Sequence, residues 1–143
     1  MTEPRLYYRD DGAELWQGDA LAWLPTVPDD RVDGIFTDPP YSSGGLFRGD
    51  RLDAPSTKYL ADPAVQRIEF AGDSRDQRAY GYWCALWLAE CLRVTKPGGV
   101  LLMFTDWRQL PTTSDAIQAG GWVWRGVVVW DKTAGIRPSA GRF

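Results

Sequence analysis

The most informative stretch of this 143-residue chain is DGIFTDPPY, residues 33–41. Its apolar run, Gly34 to Thr37, predicts a buried strand. The strand is expected to stop at Asp38, because the two prolines that follow have no N–H to donate to a sheet ladder. Pro39 and Pro40 also make the turn stiff, while their carbonyls stay free to accept hydrogen bonds.

On the N-terminal side of this stretch, the pattern predicts a hairpin and a short helix. Residues 6–8 and 14–17 read as two short strands around the turn Asp10-Asp11-Gly12. Residues Ala20 to Leu24 read as a helix that Asp19 could cap, and Pro25 ends it.

On the C-terminal side, helices alternate with strands. Apolar residues at helical spacing, Leu92 among them, predict a core-facing helix over Gln77–Val94, and Lys96-Pro97-Gly98-Gly99 ends it. A buried strand is predicted over Val100–Phe104, a helix over Arg108–Ala119 and a further strand over Trp122–Trp130. The tryptophans expected in the core are Trp83, Trp87, Trp122, Trp124 and Trp130. This alternation predicts an α/β fold with a mostly parallel sheet flanked by helices.

Two segments are predicted to be loops. Residues 42–78 mix glycine, proline and charges, and loops of this length are usually functional or mobile. We expect a lid that closes over ligands, with a plain solvated loop as the alternative. Residues 131–143 read as an open basic loop, in which Lys132, Arg137 and Arg142 are candidates for contacts with phosphate.

Composition limits the class of protein. The net charge of −3 argues against a basic clamp that covers the whole surface, although a local patch could still bind DNA. No apolar run is long enough to span a membrane and no signal layout is present, so a soluble, cytoplasmic protein without membrane contact is expected. With no histidine and only Cys84 and Cys91, about 10 Å apart along a helix, we expect free buried thiols and no metal site.

The residues after the strand predicted at 34–37 suit one chemistry. In open α/β sheets, ligands bind beyond the carboxyl ends of the strands, where Asp38 to Tyr41 would lie. An exocyclic base amine is a poor nucleophile until its two hydrogens are held by acceptors, and the Asp38 carboxylate and the Pro39 carbonyl could hold them. The carboxylate would also stabilise the positive charge that develops on nitrogen. Tyr41 offers an aromatic face for the base, which would have to leave its duplex.

Four segments resemble, in order, the amino-directed DNA methyltransferases, specifically the circularly permuted group in which the catalytic motif comes first. These segments are residues 15–21 (LWQGDAL), 33–41 (DGIFTDPPY), 92–100 (LRVTKPGGV) and 128–132 (VVWDK) followed by Gly135. Only the Asp-Pro-Pro-Tyr segment is specific, since Lys-Pro-Gly-Gly occurs across many methyltransferases.

The resemblance implies a Rossmann-like fold, S-adenosylmethionine as methyl donor, and a flipped base in double-stranded DNA as substrate. It implies catalytic roles for Asp38, Pro39, Pro40 and Tyr41, and places Asp19 and Asp38 at the cofactor. A helix cap remains the alternative role for Asp19. Aspartate at the first motif position favours adenine N6 over cytosine N4.

The chain also departs from the family pattern. The glycine-rich cofactor motif Phe-x-Gly-x-Gly and much of the target-recognition region do not occur in residues 1–143. We therefore expect the catalytic part of a single methyltransferase domain, incomplete at its C-terminus and with little activity by itself. A second chain or a further segment would supply the cofactor motif. The alternatives are methylation of an amine on RNA or a protein glutamine, and a non-catalytic or DNA-binding subunit that acts with a partner.

Overall fold

The computed structural model describes residues 3–41 and 73–131 of the chain. Its elements in chain order are β1 (Arg5–Arg9), β2 (Glu14–Gln17), α1 (Ala20–Trp23), a 3₁₀ turn (Leu24–Thr26), β3 (Val32–Thr37), α2 (Gln77–Val94), β4 (Thr95–Met103) and α3 (Leu110–Ala119). The described residues therefore form a mixed α/β structure. Helix α2 begins at Gln77 as predicted, and the last two residues of the segment 42–78 lie in it.

The N-terminal hairpin and the capped helix are confirmed. Strands β1 and β2 pair antiparallel, and the Asp10 carboxylate closes the turn by accepting hydrogen bonds from the backbone N–H groups of Gly12 and Ala13 at 2.8 and 2.7 Å. The Asp19 carboxylate then caps α1 by accepting from the Leu21 N–H at 2.9 Å. Both features arise from aspartate side chains that satisfy nearby backbone donors.

Strands β3 and β4 form a parallel pair, and α2 lies between them in the chain. Gly34 to Thr37 pair in register with Val100 to Met103. The register shifts before this stretch, where Val32 pairs with Thr95, so the residues between Thr95 and Val100 bulge out of the ladder. Gly98 within the bulge has a φ of +86°, a conformation that glycine adopts without strain. Helix α2 ends at Val94, so the predicted end of the helix before this Lys-Pro-Gly-Gly segment is confirmed.

The core lies between α2, α3 and the 3₁₀ turn. Its buried apolar residues are Leu24, Tyr80, Cys84, Trp87, Leu88, Cys91, Val94, Ala116 and Ile117. Gly120, at the end of α3, packs directly against α2. A Cβ at this position would come within 2.7 Å of the Leu88 Cβ, so only glycine fits without a shift. Both cysteines are free and buried as expected, whereas Leu92, predicted on the core face, is exposed.

The prediction that both parallel strands are buried was wrong for one face of the pair. Ile35, Leu101 and Met103 pack against the core. The alternate residues point the other way, and Phe36, Val100 and Leu102 are 70%, 64% and 49% exposed. Successive side chains of a strand point to opposite faces. On the second face, the Phe104 ring contacts Phe36 and the Trp130 ring, at centroid distances of 5.3 and 5.6 Å, and the face stays largely exposed.

The predicted strand over Trp122–Trp130 does not form in the structure. Trp124 and Trp130, predicted in the core, are exposed, as are Val127 to Val129. A strand requires a neighbouring backbone to pair with, and residues 122–130 find none among the described residues. Trp122 is the exception in this segment, since it is half-buried and its indole N–H donates to the Leu88 carbonyl at 2.9 Å.

Candidate active site

The carboxyl ends of β3 and β4 meet at one edge of the parallel pair. The Phe104 N–H donates to the Thr37 carbonyl at 2.9 Å, which extends the ladder one residue beyond β4. The chain leaves this edge through Asp38 on one side and Thr105 on the other. Residues 38–41 and 104–109 are therefore neighbours at the position where α/β sheets bind ligands.

Two acceptors of the Asp-Pro-Pro-Tyr segment have no hydrogen-bond partner among the described residues. The Asp38 side chain is exposed, and within residues 3–41 and 73–131 its carboxylate makes no hydrogen bond or ion pair. Pro39 is buried, yet its carbonyl accepts no hydrogen bond from the described residues. Pro40 and Tyr41 are half-buried, and none of the peptide bonds that the structure describes is cis. The segment thus combines a fixed backbone with two free acceptors.

Tyr41 lies in an acidic environment at this edge. Burial raises the pKa of its hydroxyl, and the negative charges of Asp38, Asp106 and Asp73 raise it further. The side chain therefore stays protonated and neutral at physiological pH. Its side chain is half-buried and packs against the core.

The end of β4 carries residues that sequence reasoning missed. The Asp106 carboxylate accepts a hydrogen bond from the Gln109 N–H at 2.9 Å, which tightens the turn before α3. The Thr105 hydroxyl lies 2.9 Å from that of Thr113. A polar run directly after the second strand of a parallel pair is a signal that could have identified Thr105 and Asp106.

Trp107 follows the same strand end, a position that predicts a role in lining a ligand pocket. Its side chain is 76% exposed, and the Arg108 guanidinium lies 5.2 Å from the ring centroid. Trp107 therefore lies at the predicted edge, and its contact with a ligand stays a prediction.

The structure shows Asp19 as a helix cap. One carboxylate oxygen accepts from the Leu21 N–H, and the other has no hydrogen-bond partner among the described residues. The side chain is half-buried rather than fully enclosed. Capping therefore leaves one oxygen free, and the role of Asp19 toward a cofactor stays a prediction.

The remaining candidates lie outside the described residues. These are Lys132, Arg137 and Arg142, together with residues 42–72 of the predicted lid. In the part of the chain that is described, no group of histidine, cysteine, aspartate or glutamate side chains could hold a metal ion. None of the described helices is long and apolar enough to cross a membrane.

The chain is similar to several type II methyltransferases. The type II methyltransferase M.BamHI of Bacillus amyloliquefaciens is 33% identical over 104 residues, which cover 73% of this chain and 20% of that protein. M.HinfI of Haemophilus influenzae is 27% identical over 124 residues, covering 83% and 31%. M.ScaI of Streptomyces caespitosus is 25% identical over 137 residues, covering 91% and 37%. The chain thus spans between a fifth and just over a third of the length of these relatives.

No solved structure matches the chain significantly. The sequence model of the DNA methylase family matches residues 32–143, which include the Asp-Pro-Pro-Tyr segment, β4 and α3. This match spans most of the chain. The chain therefore belongs to the DNA methylase family, the amino-directed N6 and N4 DNA methyltransferases.

Proposed function

We propose that this protein transfers a methyl group from S-adenosylmethionine to the exocyclic amine of a base flipped out of double-stranded DNA, with adenine N6 as the first candidate and cytosine N4 as the second. The observation that carries the proposal is the Asp38 carboxylate, exposed and without a partner among the described residues at the end of β3. It lies next to the Pro39 carbonyl, which is also free to accept.

These two acceptors match the two hydrogens of a base amine. Holding both hydrogens draws the nitrogen toward tetrahedral geometry and makes its lone pair available for attack. The negative charge of Asp38 stabilises the positive charge that develops on that nitrogen as the new N–C bond forms. The prolines keep both acceptors in place, because each fixes φ and removes a competing N–H donor.

The half-buried ring of Tyr41 gives the flipped base a stacking surface. Base–aromatic stacking contributes roughly 1–3 kcal/mol per base. Since burial and the neighbouring carboxylates keep the hydroxyl protonated, no negative charge on Tyr41 opposes stacking. The base must leave the helix to reach this edge, because in the duplex one of the two amine hydrogens is held in the base pair.

Asp19 and Asp38 are the residues of this chain proposed to hold the methyl donor. The free carboxylate oxygen of Asp19 is an acceptor of the kind that an adenine amine or a ribose hydroxyl requires, so the residues present fit the group. When bound, S-adenosylmethionine supplies an electrophilic methyl group on a sulfonium centre.

The glycine-rich part of the cofactor site is proposed to come from a segment or chain that carries Phe-x-Gly-x-Gly. That motif does not occur in residues 1–143, and the relatives are several times longer than the region they share with this chain. The exposed apolar side chains of Phe36, Val100 and Leu102 support this proposal, because contiguous exposed apolar surface usually marks an interface.

Contacts with DNA phosphates are proposed for three basic residues near the end of the sequence, as cations make such contacts at protein–DNA interfaces. These residues are Lys132, Arg137 and Arg142.

The test measures methyl transfer by the protein expressed from its entire gene, with labelled S-adenosylmethionine and unmethylated genomic DNA. Digestion to nucleosides should place the label on N6-methyldeoxyadenosine or, for the second candidate, on N4-methyldeoxycytidine. Parallel reactions with RNA and with protein substrates complete the design. Label found only in RNA or protein, or in no substrate, would contradict the proposed function.

Calorimetric titration of residues 1–143 with S-adenosylmethionine tests the contribution of a further segment. Weak binding is expected because the glycine-rich motif lies outside these residues. Clear micromolar binding by residues 1–143 alone would show that no further segment is needed for the cofactor.

A further inference from the structure

A chain of hydroxyl groups lies beneath the end of β4. The hydroxyl of Thr113 in α3 is 2.9 Å from that of Thr105, just after β4, and 3.4 Å from that of Tyr80 in α2. Thr113 is 1% exposed and Tyr80 is fully buried. Three separate elements therefore meet through polar groups in the interior.

Burial alone does not explain a threonine at position 113. The residue lies on the same face of α3 as Ala116 and Ile117, which belong to the apolar core. Valine has nearly the same shape and would carry no hydroxyl that must be paired. The Thr113 hydroxyl can therefore favour the folded structure only through its directional hydrogen bonds, which fix the relative positions of the groups they join.

The hydroxyl chain fixes a turn that borders the candidate active site. Three consecutive residues are anchored: Phe104 through its N–H to the Thr37 carbonyl, Thr105 through its hydroxyl to Thr113, and Asp106 through its carboxylate to the Gln109 N–H. Thr37 directly precedes Asp38. The turn at residues 104–109 is thus bonded to α3 on one side and, on the other, to Thr37 at the start of the Asp-Pro-Pro-Tyr segment.

We infer that Thr113 is a positioning residue, whose hydroxyl holds the turn at residues 104–109 in place beside Asp38 and Tyr41. Its effect on methyl transfer rests on the proposed function. Thr113 does not touch the substrate, and it acts through Thr105 and the backbone of the turn.

The test compares three variants of the protein produced from its own gene. Thr113→Val removes the hydroxyl and keeps the shape. Thr113→Ser restores a hydroxyl. Ser114→Ala is the matched control on the same helix, because among the described residues the Ser114 hydroxyl bonds only within α3, to the Pro111 carbonyl at 2.8 Å. We expect Thr113→Val to lower kcat for methyl transfer about tenfold with KM for DNA unchanged, as loss of one internal hydrogen bond allows. Thr113→Ser should recover most of kcat, and Ser114→Ala should match the original protein.

Hydrogen–deuterium exchange gives a second readout that does not depend on methylation. In Thr113→Val, the amides of residues 104–109 should exchange about tenfold faster while those in the middle of α2 keep their protection. Unchanged exchange at residues 104–109 would overturn the inference, whether or not the protein methylates DNA. Faster exchange with an unchanged kcat would overturn the catalytic part, as would a loss of kcat that Thr113→Ser does not restore. If no variant methylates any substrate, the proposed function fails, and the exchange result still decides whether Thr113 anchors the turn.

Discussion

The ends of β3 and β4 lie side by side but present different kinds of polar atoms. After β3, the Asp38 carboxylate and the Pro39 carbonyl have no partner among the described residues. After β4, the Thr105 hydroxyl and the Asp106 carboxylate are both hydrogen-bonded within the protein. Free acceptors on a stiff backbone suit chemistry on a ligand, whereas paired groups suit support. Substitutions at the two ends should therefore differ in what they change.

The largest effect is expected at Asp38. Replacement by alanine removes both a hydrogen-bond acceptor and a negative charge from the proposed amine site, so methyl transfer should fall by at least about 10²- to 10³-fold. The measurement is the initial rate of label transfer to DNA, with the thermal unfolding temperature recorded for each variant.

Asp33→Ala is the matched control for Asp38→Ala. Asp33 lies in the same strand and is also exposed, but its carboxylate is paired with the Lys96 ammonium at 2.7 Å. Exposed pairs of this kind contribute little to stability, so the rate should change less than about twofold. Equal losses of rate in the two variants would show that the end of β3 has no special role.

A smaller effect is expected at Tyr41. Tyr41→Ala removes the stacking surface, which corresponds to a roughly tenfold to hundredfold weaker interaction with the flipped base. Tyr41→Phe keeps the ring and should retain most of the activity. The comparison is made by the Kd for DNA and by kcat/KM. A phenylalanine variant as impaired as the alanine variant would indicate that the hydroxyl, and not the ring, carries the function.

The two buried cysteines of α2 predict a dependence of stability on alkaline pH. Burial raises the pKa of Cys84 and that of Cys91 to about 11, from an ordinary value of 9.0. The folded state therefore keeps both thiols protonated between about pH 9 and 11, where the unfolded chain loses these protons. The stability that this difference contributes is fully present below pH 9 and is lost as the pH rises toward 11. The loss is on the order of 2 kcal/mol for each thiol.

Urea denaturation at several pH values between 8 and 11 measures this dependence. The double variant Cys84→Ala with Cys91→Ala should be less stable at pH 8, because both side chains are buried. Its stability should then fall less steeply with pH than that of the original protein. Parallel slopes for the two proteins would mean that the thiols do not contribute to the alkaline loss.

The smallest effect is expected at Asp19, where capping and cofactor binding can be separated. Asp19→Ala should cost about 1 kcal/mol of stability through loss of the cap, and serine, which caps about as well, should restore it. If Asp19 also holds the methyl donor, Asp19→Ser should keep the unfolding temperature but weaken donor binding. A serine variant with unchanged donor affinity would leave the residue with the capping role alone.

Features that depend on residues close together in the sequence could be predicted, and features that depend on distant residues could not. The hairpin turn at Asp10, the cap at Asp19 and the bounds of α2 depend on neighbours within a few residues, and these predictions are confirmed. The exposure of Phe36 and Leu102 depends on what covers a sheet face, which apolar periodicity does not specify. The segment 122–130 has strand-forming residues, but a strand also needs a pairing partner.

The candidate site divides in the same way. Asp38, Pro39, Pro40 and Tyr41 form a contiguous motif, so the sequence alone predicts them as site residues. The contacts of Thr113 join residues 33 positions apart for Tyr80 and 8 apart for Thr105. Such contacts exist only once α2, β4 and α3 are packed, and for this reason sequence reasoning missed them.

The most direct test of the central claim is a structure of the protein bound to methylatable DNA and a non-transferring analogue of S-adenosylmethionine. An extruded base should lie at the carboxyl end of β3, with its exocyclic nitrogen about 3 Å from both an Asp38 carboxylate oxygen and the Pro39 carbonyl oxygen. Its ring should stack on Tyr41. A bound base whose amine contacts neither acceptor would contradict the assignment of Asp38 and Pro39 as the site that holds the amine.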